Sequence, residues 1–583
     1  MSKALDPVTL EVIRNALPAI ANEMAVDVVR TSYNMMIYEV RDFCTALLDP
    51  DGKLVAQNVG GVSHFVADLG AIIVDGMKKI GREGFKPDDV IITNHQAAAG
   101  QHLNNIVIYM PYFHAGELVM FSVVRAHWID IGGISTGFGA EANCTDPWME
   151  GLQLDQLKVH EAGKPNELLL KIIRDNIRFP DASLGDMRSQ IAGCKLAHRR
   201  LDELFKRFGR ETFLAAIKQV FAESEAKCRR VVKEIPNGIY EAESFVDGGG
   251  IIGPPIRIHA KVTVDDGHMV IDLSGCSGER KAGVNSRTYA GARVAYKALT
   301  APQEAVNEGG FAALDVIIPE GNIMMARYPA PMSGWSLIVP TVVDVILLAL
   351  APAMRKDIPA AHHGLLGGSV VFFGTKEGGK PFIVQSLEGG GWGGRSFEDG
   401  ASGSVSICQG DVRNGTIEGI EIQNPVIVEQ RAVRSDSGGA GKFRGGLGID
   451  MRVRNLTEGR WNLHRPRRVD NPAWGLWDGQ FGGTADYLLR LPDETQFRSV
   501  NESRYLTPVE SEVIVRTGGG GGWGDPLDRE PVRVRTDVVE GYVSAGQARD
   551  KYGVIVQGAD HVIDAAATEA LRKQMRGGRG TAA

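Results

Sequence analysis

The stretch Gly100-Gln101-His102-Leu103-Asn104-Asn105-Ile106-Val107-Ile108-Tyr109-Met110 is followed, after Phe113-His114-Ala115-Gly116-Glu117, by Leu118-Val119-Met120-Phe121-Ser122-Val123-Val124-Arg125-Ala126-His127. Two apolar runs of strong β-formers, joined by a short glycine-containing connection, read as an antiparallel hairpin. Counted outward from Ala115, His102 and His127 are nearly equidistant from the turn, so antiparallel pairing brings both imidazoles to the same open end. Two imidazoles with Asn105 and Asp130 close by suit a first-row metal site. The competing reading is a pair of polar strand ends.

Working outward, the first helix is expected to open at Asp6-Pro7, a cap residue followed by proline. Leu10, Ile13, Leu17, Ile20 and Met24 follow helical spacing, with Pro18 expected to kink the helix. Phe43 to Leu48, the turn Asp49-Pro50-Asp51-Gly52 and Leu54 to Ala56 read as strand, turn, strand, with Asp42 at the entrance. Asp42 is either a hard oxygen ligand or a turn carboxylate beside Arg41. A second helical region spans Asp186 to Phe208 and continues from Glu211 to about Val232. After Ile235-Pro236-Asn237-Gly238 the period changes: Ile256, Ile258, Ala260, Val262 and Val264 alternate with polar residues, and Asp265-Asp266-Gly267 turns the chain into Met269, Ile271 and Leu273. Helices are expected near Ala290 to Ala301 and Val343 to Met354, and in the tail at Ser544 to Tyr552 and Ala565 to Met575. The fold class is α+β and multidomain: a mixed N-terminal region over 1–237 carrying the hairpin, a β-rich, glycine-rich body over 238–535, and a helical tail over 536–583.

The 583 residues are too many for one core, and 43% apolar with 23% charged residues is ordinary for a globular chain. A formal net charge of −7 with no basic block argues against a nucleic-acid partner. The N-terminus has no apolar core of signal-peptide length. Pro340, Asp344 and Pro352 break the longest apolar stretch, Leu337 to Met354, so neither a membrane span nor secretion is expected and a cytoplasmic location is. Cys44, Cys144, Cys194, Cys228, Cys276 and Cys408 form no C-x-x-C pair and read as buried free thiols. The 72 glycines cluster in the second half, where runs such as Gly389-Gly390-Gly391 and Gly518 to Gly522 suit tight turns and close backbone approaches. No P-loop occurs. Gly133-Ile134-Ser135-Thr136-Gly137 matches G-x-S-x-G, but Phe138 to Asn143 lacks the helical face of a nucleophile elbow and reads as loop.

Several segments together resemble the hydantoinase B/oxoprolinase family. They are Arg41-Asp42-Phe43 with Asp51 to Gln57, Gly100 to Asn105, Arg125-Ala126-His127-Trp128-Ile129-Asp130-Ile131-Gly132-Gly133, Asn176-Ile177-Arg178-Phe179-Pro180 with Gly185-Asp186, Ser435 to Gly446, and Thr517-Gly518-Gly519-Gly520 with Gly524-Asp525-Pro526. The resemblance implies a two-component enzyme. A hydantoinase A-type partner binds ATP, and the B-type component carries zinc or manganese on Asp42, His102 and His127, the pair assembling as a heterotetramer. It implies ATP-dependent opening of a hydantoin, oxoproline or another lactam. A related branch carboxylates ketones such as acetone and acetophenone, and a third reading is a non-catalytic scaffold for the ATP-binding partner. Family members usually have H-x-P-D where this chain has His102-Leu103-Asn104-Asn105, and N-D-P where it has Asn94-His95-Gln96. Asn105 then offers a carbonyl oxygen without charge, and Asp130 and His95 are the candidates to complete the ligand set. Asp130 is otherwise expected to orient an imidazole or, with His127, to act in catalysis as general base.

Overall fold

The computed structural model describes residues 5–98, 100–137, 143–365, 368–463 and 468–579. The chain divides into two compact units: Met1–Glu243 with Gly248–Ala349 and Cys408–Gly415, and Ser244–Asp247 with Leu350–Ile407 and Thr416–Ala583. It is a mixed α/β architecture with several sheets.

The first unit is organised by a seven-stranded antiparallel sheet in the order β2-β1-β5-β4-β3-β6-β7. Its strands are β1 (Phe43–Leu48), β2 (Leu54–Gln57), β3 (Val90–Thr93), β4 (Asn105–His114), β5 (Glu117–His127), β6 (Leu157–Glu161) and β7 (Lys164–Pro165). The two longest strands, β4 and β5, form the hairpin, with Ala115 and Gly116 at the turn both in the left-handed region. A side-chain period of two splits the hairpin between two faces. Ile106, Ile108, Met110, Val124, Ala126 and Trp128 join the core beneath helices Pro7–Thr31 and Pro180–Phe208. Asn105, Tyr109, Phe121, Arg125 and His127 have the opposite parity and lie on the other face. There Gly76 of helix Leu69–Ile80 passes so near Tyr109 that a Cβ would stand 2.2 Å from the phenol oxygen.

Polar side chains of helix Pro180–Phe208 pin the helix-covered face at Gln190, His198 and Asp202. Gln190 donates to the Ile106 and Val124 carbonyls and accepts from Trp128 Nε1 (3.1, 3.1 and 3.0 Å), tying the long helix to the open end of the hairpin. Helix Pro7–Thr31 starts at Asp6, whose carboxylate accepts from the Thr9 amide, and runs unbroken through Pro18. A further sheet runs β11-β10-β9-β8, from β8 (Gly238–Val246), β9 (Ile256–Asp265), β10 (His268–Asp272) and β11 (Leu314–Ile317).

The second unit holds two larger sheets beside the two-stranded pair of Val556–Gln557 with Val562–Ile563. One is β13-β12-β16-β19, from β12 (Gly368–Thr375), β13 (Pro381–Glu388), β16 (Gly459–Asn462) and β19 (Tyr505–Thr507). The other is β14-β15-β20-β17-β18, from β14 (Val426–Val433), β15 (Ile449–Asn455), β17 (Asp486–Arg490), β18 (Arg498–Ser499) and β20 (Glu512–Arg516). Its glycine runs lie backbone on backbone: Gly391 donates to the Gly518 carbonyl (2.9 Å), Gly446 to Trp392 (2.7 Å) and Gly520 to Gly446 (3.0 Å). A Cβ at Gly391, Gly519 or Gly520 would stand 1.9, 1.8 or 2.0 Å from a neighbouring carbonyl oxygen. Close approach, not positive φ, demands glycine there. Helices Pro531–Val539 and Ala545–Tyr552 pack through Val534, Val538, Ala548 and Tyr552. Among the described residues no helix is long and apolar enough to cross a membrane.

Candidate functional site

The open end of the hairpin sets three residues in one row across three strands. Asn105 of β4 is registered opposite His127 of β5. On the other flank the His127 amide donates to the Asp42 carbonyl (3.1 Å), extending the register in which Phe43 faces Ala126. Cross-strand partners point to the same face, so Asp42, His127 and Asn105 share it. His102 comes from the turn before β4, closed by the Asn105 amide on the His102 carbonyl (3.2 Å). The two imidazole centroids are 5.1 Å apart with their planes at 72°.

His102 Nε2 and His127 Nδ1 lie 3.0 and 3.2 Å from one atom, Asn105 Oδ1. The surrounding hydrogen bonds fix that orientation. Gln101 Nε2 donates to the His64 carbonyl and to Asp68 Oδ2 (both 3.1 Å), which leaves Gln101 Oε1 to accept from Asn105 Nδ2 at 2.8 Å. The carboxamide oxygen must then face the imidazoles. Asp68 is anchored in turn by Thr288 Oγ1 (2.9 Å) and the Tyr289 amide (3.4 Å). The turn bearing His102 rests on Glu150, which accepts from Gln96 Nε2 (2.9 Å) and from the Leu103 and Met332 amides (3.4 and 2.9 Å).

The centre is dry. His102, His127, Asn105, Gln101 and Asp68 are all buried. Burial lowers the His102 pKa to about 4 and holds His127 and His64 well below the ordinary histidine range, so all three rings are neutral at pH 7. Burial also raises Asp42 to about 7 against the pull of Arg125, and raises Asp68 and Glu150, the latter to about 7. Arg125, two residues before His127 and hence on the same face, is buried over the Phe65 ring at 5.2 Å. Its Nε and Nη1 have no hydrogen-bond partner among the described residues, and burial lowers its pKa to about 10.

These residues suit a divalent cation on one specific count. His102 Nδ1 stands 3.4 Å from the Ser333 carbonyl; with the ring proton on Nδ1, that contact would fix a ligating imidazole and turn the Nε2 lone pair inward. Nitrogen, nitrogen and carboxamide oxygen then converge on one place, with the Asp42 carboxylate next along the row. Among the described residues no three His, Cys, Asp or Glu side chains are grouped closely enough to hold a metal; the third member of this cluster is the carboxamide of Asn105.

Asp130 is committed elsewhere. It is fully buried and accepts from the Gly132 and Gly137 amides, the Arg178 amide (2.7 Å) and Arg178 Nη1 (2.9 Å). It therefore fastens the glycine loop after His127 to Arg178. Ser135 of the G-x-S-x-G match lies buried in that loop, and the segment considered as an elbow, Phe138 to Asn143, lies over 138–142 outside the described residues. His95 packs against the Tyr328 ring, with centroids 5.0 Å apart and the planes tilted by 35°. The cysteines are buried or half-buried and unpaired; burial raises the thiol pKa of Cys44, Cys144, Cys194, Cys276 and Cys408. Gln101, Asp68, Glu150 and Arg125 do not stand out in the sequence. Only Arg125 carries a signal there, its two-residue spacing from His127.

The mixed α/β chain that carries this cluster of buried, neutral imidazoles is similar to known proteins. The profile of the Hydantoinase B/oxoprolinase family matches residues 6–526, and the chain belongs to that family. The B component of a putative D-/L-hydantoinase from Pseudomonas sp. (strain NS671) is 29% identical, the alignment covering 98% of each chain. The beta chain of the Pseudomonas jessenii caprolactamase is 28% identical over 97% of this chain and 99% of that one. The crystal structure of the ATP-dependent caprolactamase from that organism superposes with a TM-score of 0.90 at 25% identity, over 98% of this chain and 100% of that one. A nucleotide-free acetone carboxylase superposes with a TM-score of 0.92 at 20% identity, over 99% of this chain and 84% of that one, which shows a shared fold.

Proposed function

We propose that this chain is the metal-bearing component of a two-component, ATP-dependent amidohydrolase that opens a hydantoin, oxoproline or another lactam. The observation that carries this reading is the approach of His102 Nε2 and His127 Nδ1 to one buried oxygen, Asn105 Oδ1. Family membership and the names of the two Pseudomonas relatives, each one component of a larger enzyme, support it. An A-type partner supplies the ATP site, and the two kinds of chain assemble as a heterotetramer.

His102, His127 and Asn105 would hold zinc or manganese; the Asp42 carboxylate, placed beside them by strand register, would have to turn inward to join the ligand set. When bound, the ion polarises the amide carbonyl or acidifies water near neutral pH. The chain's own side chains prepare that chemistry. Burial keeps both imidazoles neutral, as ligation requires, and the Ser333 carbonyl orients His102. Arg125 places a buried positive charge on the same face and favours the ionised form of Asp42. Asp130, through Arg178, positions the loop that follows His127. It is a positioning residue in this scheme and not the general base. The Trp335 and His64 rings, packed with their centroids 4.7 Å apart, form an apolar wall beside His102.

The test is metal analysis and ATP-dependent turnover of the complex with its A-type partner. His127→Ala is expected to lose both bound metal and turnover; full retention of either overturns the assignment. The fold shared with acetone carboxylase favours a second reading, ATP-dependent ketone carboxylation. Incorporation of labelled bicarbonate into product would decide for it.

A further inference from the structure

The first unit contains a cavity of about 400 Å³ that shares no residue with the histidine cluster. Its volume lies within the roughly 300–1,000 Å³ of small-ligand sites. Helices Pro7–Thr31, Arg210–Glu234 and Ala290–Thr300 enclose it with the loop that follows the last of them. Leu17, Val55, Val220 and Phe311 supply an apolar lining.

The polar groups fall into two kinds. Both carboxylates on the wall are already paired, Glu223 with Arg14 and Glu304 with Lys227. Two cations are left over. Lys297 donates to the Ala301 and Glu304 carbonyls and keeps a third N–H, while Arg230 stands exposed at the rim with no ion pair among the described residues. Burial lowers the Lys297 pKa, a cost that an anionic partner relieves. The acceptors are also unsatisfied. Asn307 is buried, its Nδ2 donates to Ser224 Oγ at 2.9 Å, and its Oδ1 has no partner among the described residues. Pro18, itself on the wall, has no N–H and so denies the Arg14 carbonyl its helical donor.

We propose that this cavity binds a small amino acid, its carboxylate on Lys297 and Arg230, its ammonium on Asn307 Oδ1 and the Arg14 carbonyl, and its aliphatic chain over Leu17 and Val220. Opening a lactam releases an amine and a carboxylate on one molecule. That the ligand is the enzyme's product therefore rests on the proposed reaction; the binding chemistry does not.

The experiment is calorimetric titration of the full chain with 6-aminohexanoate, hexanoate and hexylamine. 6-Aminohexanoate is expected to bind at least tenfold more tightly than either one-ended probe. Lys297→Met should reduce its affinity to that of hexylamine, and Asn307→Leu to that of hexanoate. Ala226→Trp closes the mouth from an exposed helix position, so its folding is not in question, and it should abolish binding. His127→Ala should leave binding unchanged, which separates this site from the catalytic reading. No binding of 6-aminohexanoate, equal binding of all three probes, or binding that survives Ala226→Trp but is lost in His127→Ala would overturn the proposal.

Discussion

Replacing Asn105 by Asp changes one atom of the central cluster and should invert the stability order of variant and native chain when divalent metal is added. In the native chain Asn105 Nδ2 donates to Gln101 Oε1 at 2.8 Å. In Asn105→Asp a carboxylate oxygen takes that place and meets another oxygen. Gln101 cannot turn to help, because its own Nε2 is held between the His64 carbonyl and Asp68. A buried acceptor left unsatisfied costs about 1–3 kcal/mol, and the opposed charge adds to that. Bonds from the two imidazoles to a charged oxygen recover part, since charge-assisted bonds are roughly twice as strong as neutral ones. Without metal the variant should therefore be less stable than the native chain by about 2 kcal/mol. With metal the sign inverts. A charged oxygen in place of a neutral one should tighten binding by at least about tenfold, since even outer partners of metal ligands change affinity by about 10–100-fold. The assay is thermal unfolding in chelator and in excess zinc or manganese, beside competition against a chromophoric chelator. If Asn105→Asp is as stable as the native chain in chelator, or binds metal no more tightly, then Asn105 does not face a cation and the cluster is a structural hydrogen-bond network.

Four further outcomes follow from groups around the site and from the second unit. Glu150 has a folded pKa raised to about 7 from an ordinary value of 4.5, so its contribution is fully present below about pH 4.5 and is lost as pH rises toward 7. Glu150→Gln should flatten that part of the stability–pH profile, by at most about 3 kcal/mol, read from unfolding midpoints between about pH 4.5 and 8. Arg178→Met leaves the fully buried Asp130 with backbone donors only and should cost about 3 kcal/mol. Adding Asp130→Asn should recover part of it; equal stability of the single and double variants would remove the ion pair from the account. Gly519→Ala drives a Cβ to 1.8 Å from the Ser437 carbonyl oxygen and should abolish soluble expression. Gly577→Ala, in a helix with open space around it, should be neutral or stabilise by up to about 1 kcal/mol, as thermal unfolding would record.

Much of this architecture was legible from periodicity. The hairpin, the strand pair before it, the helices through Phe208 and Glu234 and the strand pair from Ile256 all follow from where apolar residues recur, because a half-buried strand or helix must alternate. Their assembly was not legible. Nothing in the spacing of Val90–Thr93 or Leu157–Glu161 says that they extend the same sheet as the hairpin, since strand order is set by long-range pairing. The glycine runs showed a need for close approach, but not its partners: Gly391 lies against Gly446, and Gly520 against Trp392.

The candidate site divides along the same physical line. His102, His127, Asn105 and Asp42 stand out because each sits beside a strand end whose register the sequence implies. Gln101 and Asp68 do not, because what matters in them is the direction of a hydrogen bond, not a residue type. Asp68 fixes Gln101, Gln101 fixes which end of the Asn105 amide faces inward, and that choice decides whether the imidazoles meet an oxygen or an amino group. Asp130 carries the opposite lesson. Proximity in sequence to His127 makes it a candidate ligand or base, yet a carboxylate with two backbone amides on one oxygen and Arg178 on the other has few lone pairs left for either task. A strand end places a side chain within reach of a site, but the donors already bonded to that side chain determine whether it is free to act there.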